Sequence, residues 1–245
     1  MNAPVCLTAK GILFDMDGVL VSSIGAAERN WRRWAALYGL SNAETLEVPH
    51  GRRAIDIVRL LRPDIDAHAG LKVIGDLEVA DVADLRVLPG VKRLLESLPL
   101  ERWAIVTSAQ RRLLLARLTA AGLPVPERII SGEMVERGKP DPEPYRKGAE
   151  LLGFRPEECV VVEDATSGVG AGKAAGCRVL AVLGTEPVEE LREADWVVES
   201  LEGLGVAVNA EGLELRFAQV TWEAGWCLAV SISSSYRGTP LPLCR

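Results

Sequence analysis

Gly11-Ile12-Leu13-Phe14-Asp15-Met16-Asp17-Gly18-Val19-Leu20 is the stretch on which the reading of this chain turns. An apolar run with strand character, Ile12 to Phe14, delivers two carboxylates, one residue apart, onto a glycine. That is how an α/β protein presents groups at the carboxyl end of a strand. Asp15 and Asp17 are therefore expected to point the same way. Like charges in one small space raise each other's pKa, so one carboxyl stays ionised while the other holds a proton near neutrality. Such a pair suits one nucleophile and one general acid. Alone, D-x-D-G also reads as a turn, because Asp and Gly are common in turns. An EF-hand loop is excluded, since Gly18 follows the second Asp with no third Asp or Asn before it.

After Leu20 the pattern turns helical. Ser22 or Ser23 is a candidate N-cap for a helix with apolar positions at Ala27, Trp31, Trp34, Ala35 and Tyr38, ended by Gly39. Helices are predicted from Ala54 to Leu61 and from Asp66 towards Val82. An all-helical block that interrupts an α/β pattern after its first strand reads as an insert. The expected organisation is a Rossmann-like, mostly parallel sheet core from residues 1–20 and 87–217, an inserted all-helical cap domain over 21–86, and a tail, 218–245, with no structural assignment. From Val91 the chain alternates helix and strand, with strands expected at Trp103 to Val106, Arg128 to Ser131, Cys159 to Val162, Arg178 to Leu183 and Trp196 to Val198. Alternation of this kind predicts right-handed crossovers and active groups gathered at the strand carboxyl ends. Val206 to Phe217 reads as a hairpin turning through Asn209 to Gly212.

Composition bounds the function. With 245 residues, 48% hydrophobic and 25% charged, the chain can bury one sizeable core plus an insert. A net charge of -6 and the absence of a Lys/Arg block argue against nucleic acid as a partner. Five scattered cysteines without a C-x-x-C pair fit reduced thiols and a cytoplasmic location. Only His50 and His68 are present, which disfavours a histidine-rich zinc site. Met1 to Lys10 lacks the apolar core of a signal peptide and no run of about 18 apolar residues occurs, so no membrane partner is expected. A monomer or small homo-oligomer is anticipated.

Three further places carry what a carboxylate attacking a phosphate needs. Thr107-Ser108 and Glu163-Asp164 end two strands, and Lys139 sits in Gly138-Lys139-Pro140-Asp141-Pro142. At about 4 Å and an effective dielectric of about 20, a carboxylate and each unit of phosphate charge repel by roughly 4 kcal/mol. A lysine and a divalent ion would offset that. Asp15, Asp164 and Glu163 offer the hard oxygen ligands that suit Mg²⁺, and Thr107 a hydroxyl donor to a phosphoryl oxygen. Singly, Thr107 reads as a helix N-cap, Lys139 as a solvated loop charge and Glu163-Asp164 as the polar end of a strand. Their coincidence after D-x-D favours chemistry. The glycines of Gly168-Val169-Gly170-Ala171-Gly172-Lys173 do not make a P-loop, because their spacing is one residue short and Ala174 replaces the required Ser or Thr. Close packing of a helix on the sheet is expected of them instead.

The ordered stretches FDMDGVL, AIVTS, GKPDPEPY and VVVEDATSGVGAGKAAG, spanning about residues 11 to 205, resemble the haloacid dehalogenase superfamily of phosphatases. The resemblance implies Asp15 as the nucleophile that becomes an aspartyl phosphate and Asp17 as general acid and base. It implies Thr107, Ser108 and Lys139 as phosphate binders, and Mg²⁺ held by Asp15, Glu163, Asp164 and the backbone carbonyl of Asp17. The insert resembles that superfamily's helical cap. Its His50-Gly51-Arg52-Arg53 is similar to the H-G-x-R of the branch acting on glycerol phosphate, 2-deoxyglucose 6-phosphate and related sugar phosphates. His50 and Arg53 are thereby implied as substrate-binding residues, with Arg52 the alternative to Arg53. Ser22 and Ala109 depart from that branch's pattern at non-catalytic positions. The expected function is a Mg²⁺-dependent phosphatase acting on a small sugar or polyol phosphate ester. The alternatives are a phosphosugar mutase, a halide-releasing dehalogenase and a catalytically silent phosphate-binding protein.

Overall fold

The computed structural model describes residues 4–82 and 84–220; the tail discussed above lies largely outside them. The chain enters through β1 (Val5–Ala9) and β2 (Gly11–Phe14), then crosses to the helical insert through the short β3 (Val21–Ser22). The insert is α1 (Ile24–Leu37), α2 (Ala54–Leu61) and α3 (Ala67–Ala80), after which β4 (Arg86–Val87) pairs antiparallel with β3. The remainder alternates: α4 (Val91–Ser97), β5 (Trp103–Val106), α5 (Arg111–Ala121), β6 (Ile129–Ile130), α6 (Glu143–Leu152), β7 (Cys159–Glu163), α7 (Thr166–Ala175), β8 (Arg178–Val182) and β9 (Trp196–Val198). A hairpin, β10 (Gly205–Asn209) and β11 (Gly212–Phe217), follows.

Six strands form one parallel sheet in the order β6-β5-β2-β7-β8-β9, with β2 central. A parallel sheet covered on both faces must be apolar on both, and successive side chains go to opposite sides. Ile12 and Phe14 therefore join one buried cluster with Trp103, Ile105, Val160 and Val162, while Leu13 joins the other with Ala104, Val106 and Val161. Phe14 meets Trp103 edge-on at 6.1 Å between ring centres. Each such fully buried large side chain contributes about 1.5–3 kcal/mol of transfer free energy.

The sequence reading marks none of β1, β3 and β4; β3 and β4 are two residues each, but β1 pairs antiparallel with β11 along its whole length, from Val5 opposite Phe217 to Ala9 opposite Leu213. Its partner lies more than 200 residues away, so nothing local marks it. The predicted hairpin is present, and Asn209 Oδ1 accepts from the N–H groups of Glu211 and Gly212 at its turn.

The helices of the insert close around a core of their own. Trp31, Trp34, Leu46, Ile57, Val58 and Ile74 pack together, and the Trp34 indole N–H, which burial would otherwise orphan, donates to Gly70 O at 2.9 Å. Asp66 caps α3 by accepting from the N–H groups of His68 and Ala69. Ser23 stands at the start of α1 but makes no capping bond; its hydroxyl goes to Asp17 instead. Cys159 and Cys177 are buried, free thiols. Among the described residues no helix is long and apolar enough to cross a membrane.

Candidate active site

The central strand β2 ends at Phe14, and the next residue, Asp15, emerges into a cleft of about 110 Å³ between the strand ends and the helical insert. Asp17, Thr107, Ser108 and Asp164 line the same cleft from the ends of β2, β5 and β7. Their convergence follows from register: parallel neighbours β5 and β7 flank β2, so their carboxyl ends finish side by side. Gly18 turns the chain away with φ +79, where a Cβ would also run into the Asp164 carboxylate.

Lys139 reaches the bottom of the cleft with its side chain wholly buried. Its ammonium donates to Asp15 Oδ1 at 2.6 Å, Glu163 Oε1 at 2.6 Å and Val106 O at 3.1 Å. Burial alone would push the lysine down, but Asp15 and Glu163 hold it above its ordinary range. Asp15 is pushed up to about 7, chiefly by burial and further by Glu163 and Asp17, against the pull of Lys139. Asp164 is raised well above the usual carboxylate range by burial and by Glu163 and Asp15. Three buried carboxylates thus face one ammonium; burial first, and then the surplus negative charge, lifts Asp15 and Asp164.

That surplus bears on metal binding. Asp15, Glu163 and Asp164 each offer an oxygen within 4.8 Å of the others, a hard donor set of the kind Mg²⁺ takes. Their protein partners separate them. Glu163 is fully occupied: Oε1 accepts from Lys139 and from Tyr145 at 2.6 Å, Oε2 from the N–H groups of Asp164 and Ala165. Glu163 is therefore built chiefly to hold Lys139. Asp164 gives one oxygen to the Thr185 hydroxyl and keeps the other, and Asp15 likewise keeps one beyond Lys139. Asp15 and Asp164 are the residues with capacity left for a cation.

Asp17 is held by two donors: its Oδ1 accepts from Ser23 at 2.6 Å and its Oδ2 from Arg117 at 2.5 Å. The like-charge argument leaves open which carboxyl of the pair is raised, and the raised one here is Asp15. Arg117 stands in the middle of α5, in Leu113-Leu114-Leu115-Ala116-Arg117-Leu118, and is only 5% exposed. It also reaches Glu78 on α3, at 3.5 Å. Arg117, Glu78, Tyr145, Thr185 and Ser23 were all missed by the sequence reading. A buried arginine inside an apolar helical run was the one available signal.

The insert meets the strand ends through His50-Gly51-Arg52-Arg53, and here two residues of the expected site bond to protein groups. Ser108, expected on phosphate, donates its hydroxyl to Gly51 O at 2.6 Å, and Ser167 donates to His50 O at 2.9 Å, so two core hydroxyls hold this segment by its backbone. Gly51, with φ +72, lets the segment approach, since a Cβ would strike Ser167. His50 and Arg52 line the cleft. Arg53, expected to read substrate, is 8% exposed, paired with Asp56, and donates to Val135 O at 2.7 Å, with its side chain lying against Gly138 and outside the cleft lining. Arg53 is the extended N-cap of α2 and Arg52 precedes it outside the helix; successive side chains of extended backbone go to opposite sides, which sends Arg52 into the cleft and Arg53 into the core wall. Arg53→Ala is thus expected to orphan Val135 O and loosen the seating of the insert, costing about 1–3 kcal/mol. Turnover of hydroxylated and aromatic phosphate esters should fall by similar factors, together with the thermal midpoint; a loss confined to hydroxylated esters would return Arg53 to substrate reading.

Comparison with known proteins identifies relatives of this chain. A family model for haloacid dehalogenase-like hydrolases matches residues 9–176. The chain is 42% identical over 211 residues to hexitol phosphatase A of Escherichia coli, covering 84% of this chain and 98% of that protein. It is 33% identical to glycerol-1-phosphate phosphohydrolase 2 of Saccharomyces cerevisiae, covering 87% and 92%. Among solved structures, a mutant of CbbY from Rhodobacter sphaeroides in complex with xylulose-(1,5)-bisphosphate superimposes with a TM-score of 0.69 at 25% identity, covering 81% of this chain and 97% of that one.

Proposed function

This chain belongs to the haloacid dehalogenase-like hydrolases, and from that premise we propose that it hydrolyses small sugar or polyol phosphate monoesters through a phosphorylated Asp15. The observation that carries the reading is Asp15 itself: a buried carboxylate at the end of the central strand, 2.6 Å from a buried lysine and in one cleft with Asp17, Thr107 and Asp164. The two phosphatases named above are named for a hexitol phosphate and for glycerol 1-phosphate, and this supports a small polyol ester as substrate.

In the first half of the reaction, a carboxylate oxygen of Asp15 forms a bond to phosphorus and the ester oxygen leaves with its electron pair, taking a proton from Asp17. In the second, a water oxygen attacks the aspartyl phosphate, Asp17 takes the water proton, and inorganic phosphate departs with Asp15 regenerated. Ser23 and Arg117 both donate to Asp17, an arrangement that suits the carboxylate waiting to take that proton. Lys139 stabilises Asp15 and the phosphoryl charge, and the Thr107 hydroxyl donates to a phosphoryl oxygen. The free oxygens of Asp15 and Asp164, with the backbone carbonyl of Asp17, would hold Mg²⁺, which when bound neutralises charge on the phosphoryl oxygens. A cytoplasmic setting with free Mg²⁺ and metabolite esters suits this chemistry.

The test is release of inorganic phosphate from para-nitrophenyl phosphate and from a panel of polyol phosphates. Chelation with EDTA is expected to silence both and added Mg²⁺ to restore them, with Asp164→Ala requiring at least about tenfold more Mg²⁺. Full activity in excess EDTA would overturn the metal assignment. Migration of phosphate on a sugar without its release would favour the mutase instead.

A further inference from the structure

Glu78 of α3 faces the cleft from the insert and is only 8% exposed. A carboxyl group so deeply placed is normally paired closely, since its burial is costly. This one is not. Among the described residues its single hydrogen-bond partner is Arg117 Nη2, 3.5 Å from Oε1, at the outer limit of such a bond, and Arg117 makes its close bond to Asp17. Among the described residues no donor meets Oε2. Around it the insert contributes Trp31, Ile57 and Leu71 to the cleft, so a ligand resting there meets apolar walls and one carboxyl with acceptor capacity to spare. A polyol has that pattern: C–H faces for the walls and hydroxyls for the acceptor.

We propose that Glu78 is a specificity-determining residue that accepts hydrogen bonds from hydroxyl groups on the carbon chain of the phosphate ester. This rests on the phosphatase reading and deepens it, moving substrate choice from Arg53, which the structure takes out of the cleft, to α3. An aromatic ester fills the same apolar space but leaves Glu78 unbonded. Contacts made equally in the bound ester and the transition state act on KM, leaving kcat nearly constant.

The test uses the full chain with a hexitol 6-phosphate and para-nitrophenyl phosphate. Glu78→Leu is expected to lower kcat/KM for the hexitol phosphate at least about tenfold, mostly through KM, and that for the aromatic ester about threefold at most. Glu78→Gln, which fills the same volume, keeps an acceptor but loses the charge. It should shift the ratio of the two substrates in the same direction by about threefold, and it decides the matter if the leucine variant does not fold. Equal losses on both esters would mean that Glu78 serves Arg117 and Asp17 and would overturn the proposal, as would an unchanged hexitol phosphate KM. A wild-type enzyme inert towards both esters would instead sink the phosphatase reading itself.

Discussion

Asp15→Asn is expected to lower turnover of every phosphate ester by at least about 10⁴-fold, because an amide lacks the anionic oxygen that must bond to phosphorus. The same change removes one of the two carboxylates with room for a cation. It should nevertheless leave the fold intact. Asp15 is one of three buried carboxylates facing a single ammonium, and its place high on the pH scale records how unwelcome its charge is there. A neutral side chain of the same shape relieves that repulsion, so the thermal midpoint should hold or rise. Steady-state phosphate release and thermal unfolding, measured on one preparation, check both halves. Turnover within a hundredfold of wild type would sink the covalent mechanism; a collapsed midpoint would mean that the Asp15 to Lys139 bond matters more for folding than the charge argument allows.

Lys139→Met should fail in the opposite way, losing activity and stability together. The wild-type ammonium is wholly buried and satisfied by Asp15, Glu163 and Val106 O. Methionine fills much of the volume but leaves two buried carboxylates without a counter-charge, a change that costs about 3–5 kcal/mol. In a chain of this size the thermal midpoint should drop by about 6–20 °C. Catalysis loses the cation that offsets roughly 4 kcal/mol of repulsion per phosphate charge, so kcat/KM should fall about 10³-fold. Thermal unfolding and para-nitrophenyl phosphate turnover read the two effects. An inactive variant of wild-type stability would show that Lys139 is an electrostatic catalyst without a structural share.

The strand-end constellation was legible because it is written locally. Strand period and turn residues place Asp15, Thr107, Glu163 and Asp164 at one edge of the sheet before any distance is known. What pairs with them was not legible, since a period says which face of a helix is buried and nothing about what it meets. Arg117 in a leucine run gives no hint that it reaches Asp17, a hundred residues earlier. Glu163 and Asp164 are adjacent acids in the sequence, and only their partners show that one braces Lys139 while the other keeps an oxygen open. Arg52 and Arg53 are successive residues of an extended segment whose side chains go to opposite sides, a finer distinction than a four-residue motif can carry.

The chain leaves the core through β3 and returns through β4, and these two strands pair, Val21 opposite Val87 and Ser22 opposite Arg86. Entry and exit therefore lie a single strand spacing apart. A recombination event that cut at both points would exchange everything between them while the sheet and its acidic edge stayed as they are. The helices there already carry their own core, so a foreign block needs only to bring surface that fits the strand ends. Lineages could in this way acquire new esters by trading one contiguous segment, leaving the bond-breaking apparatus inherited unchanged.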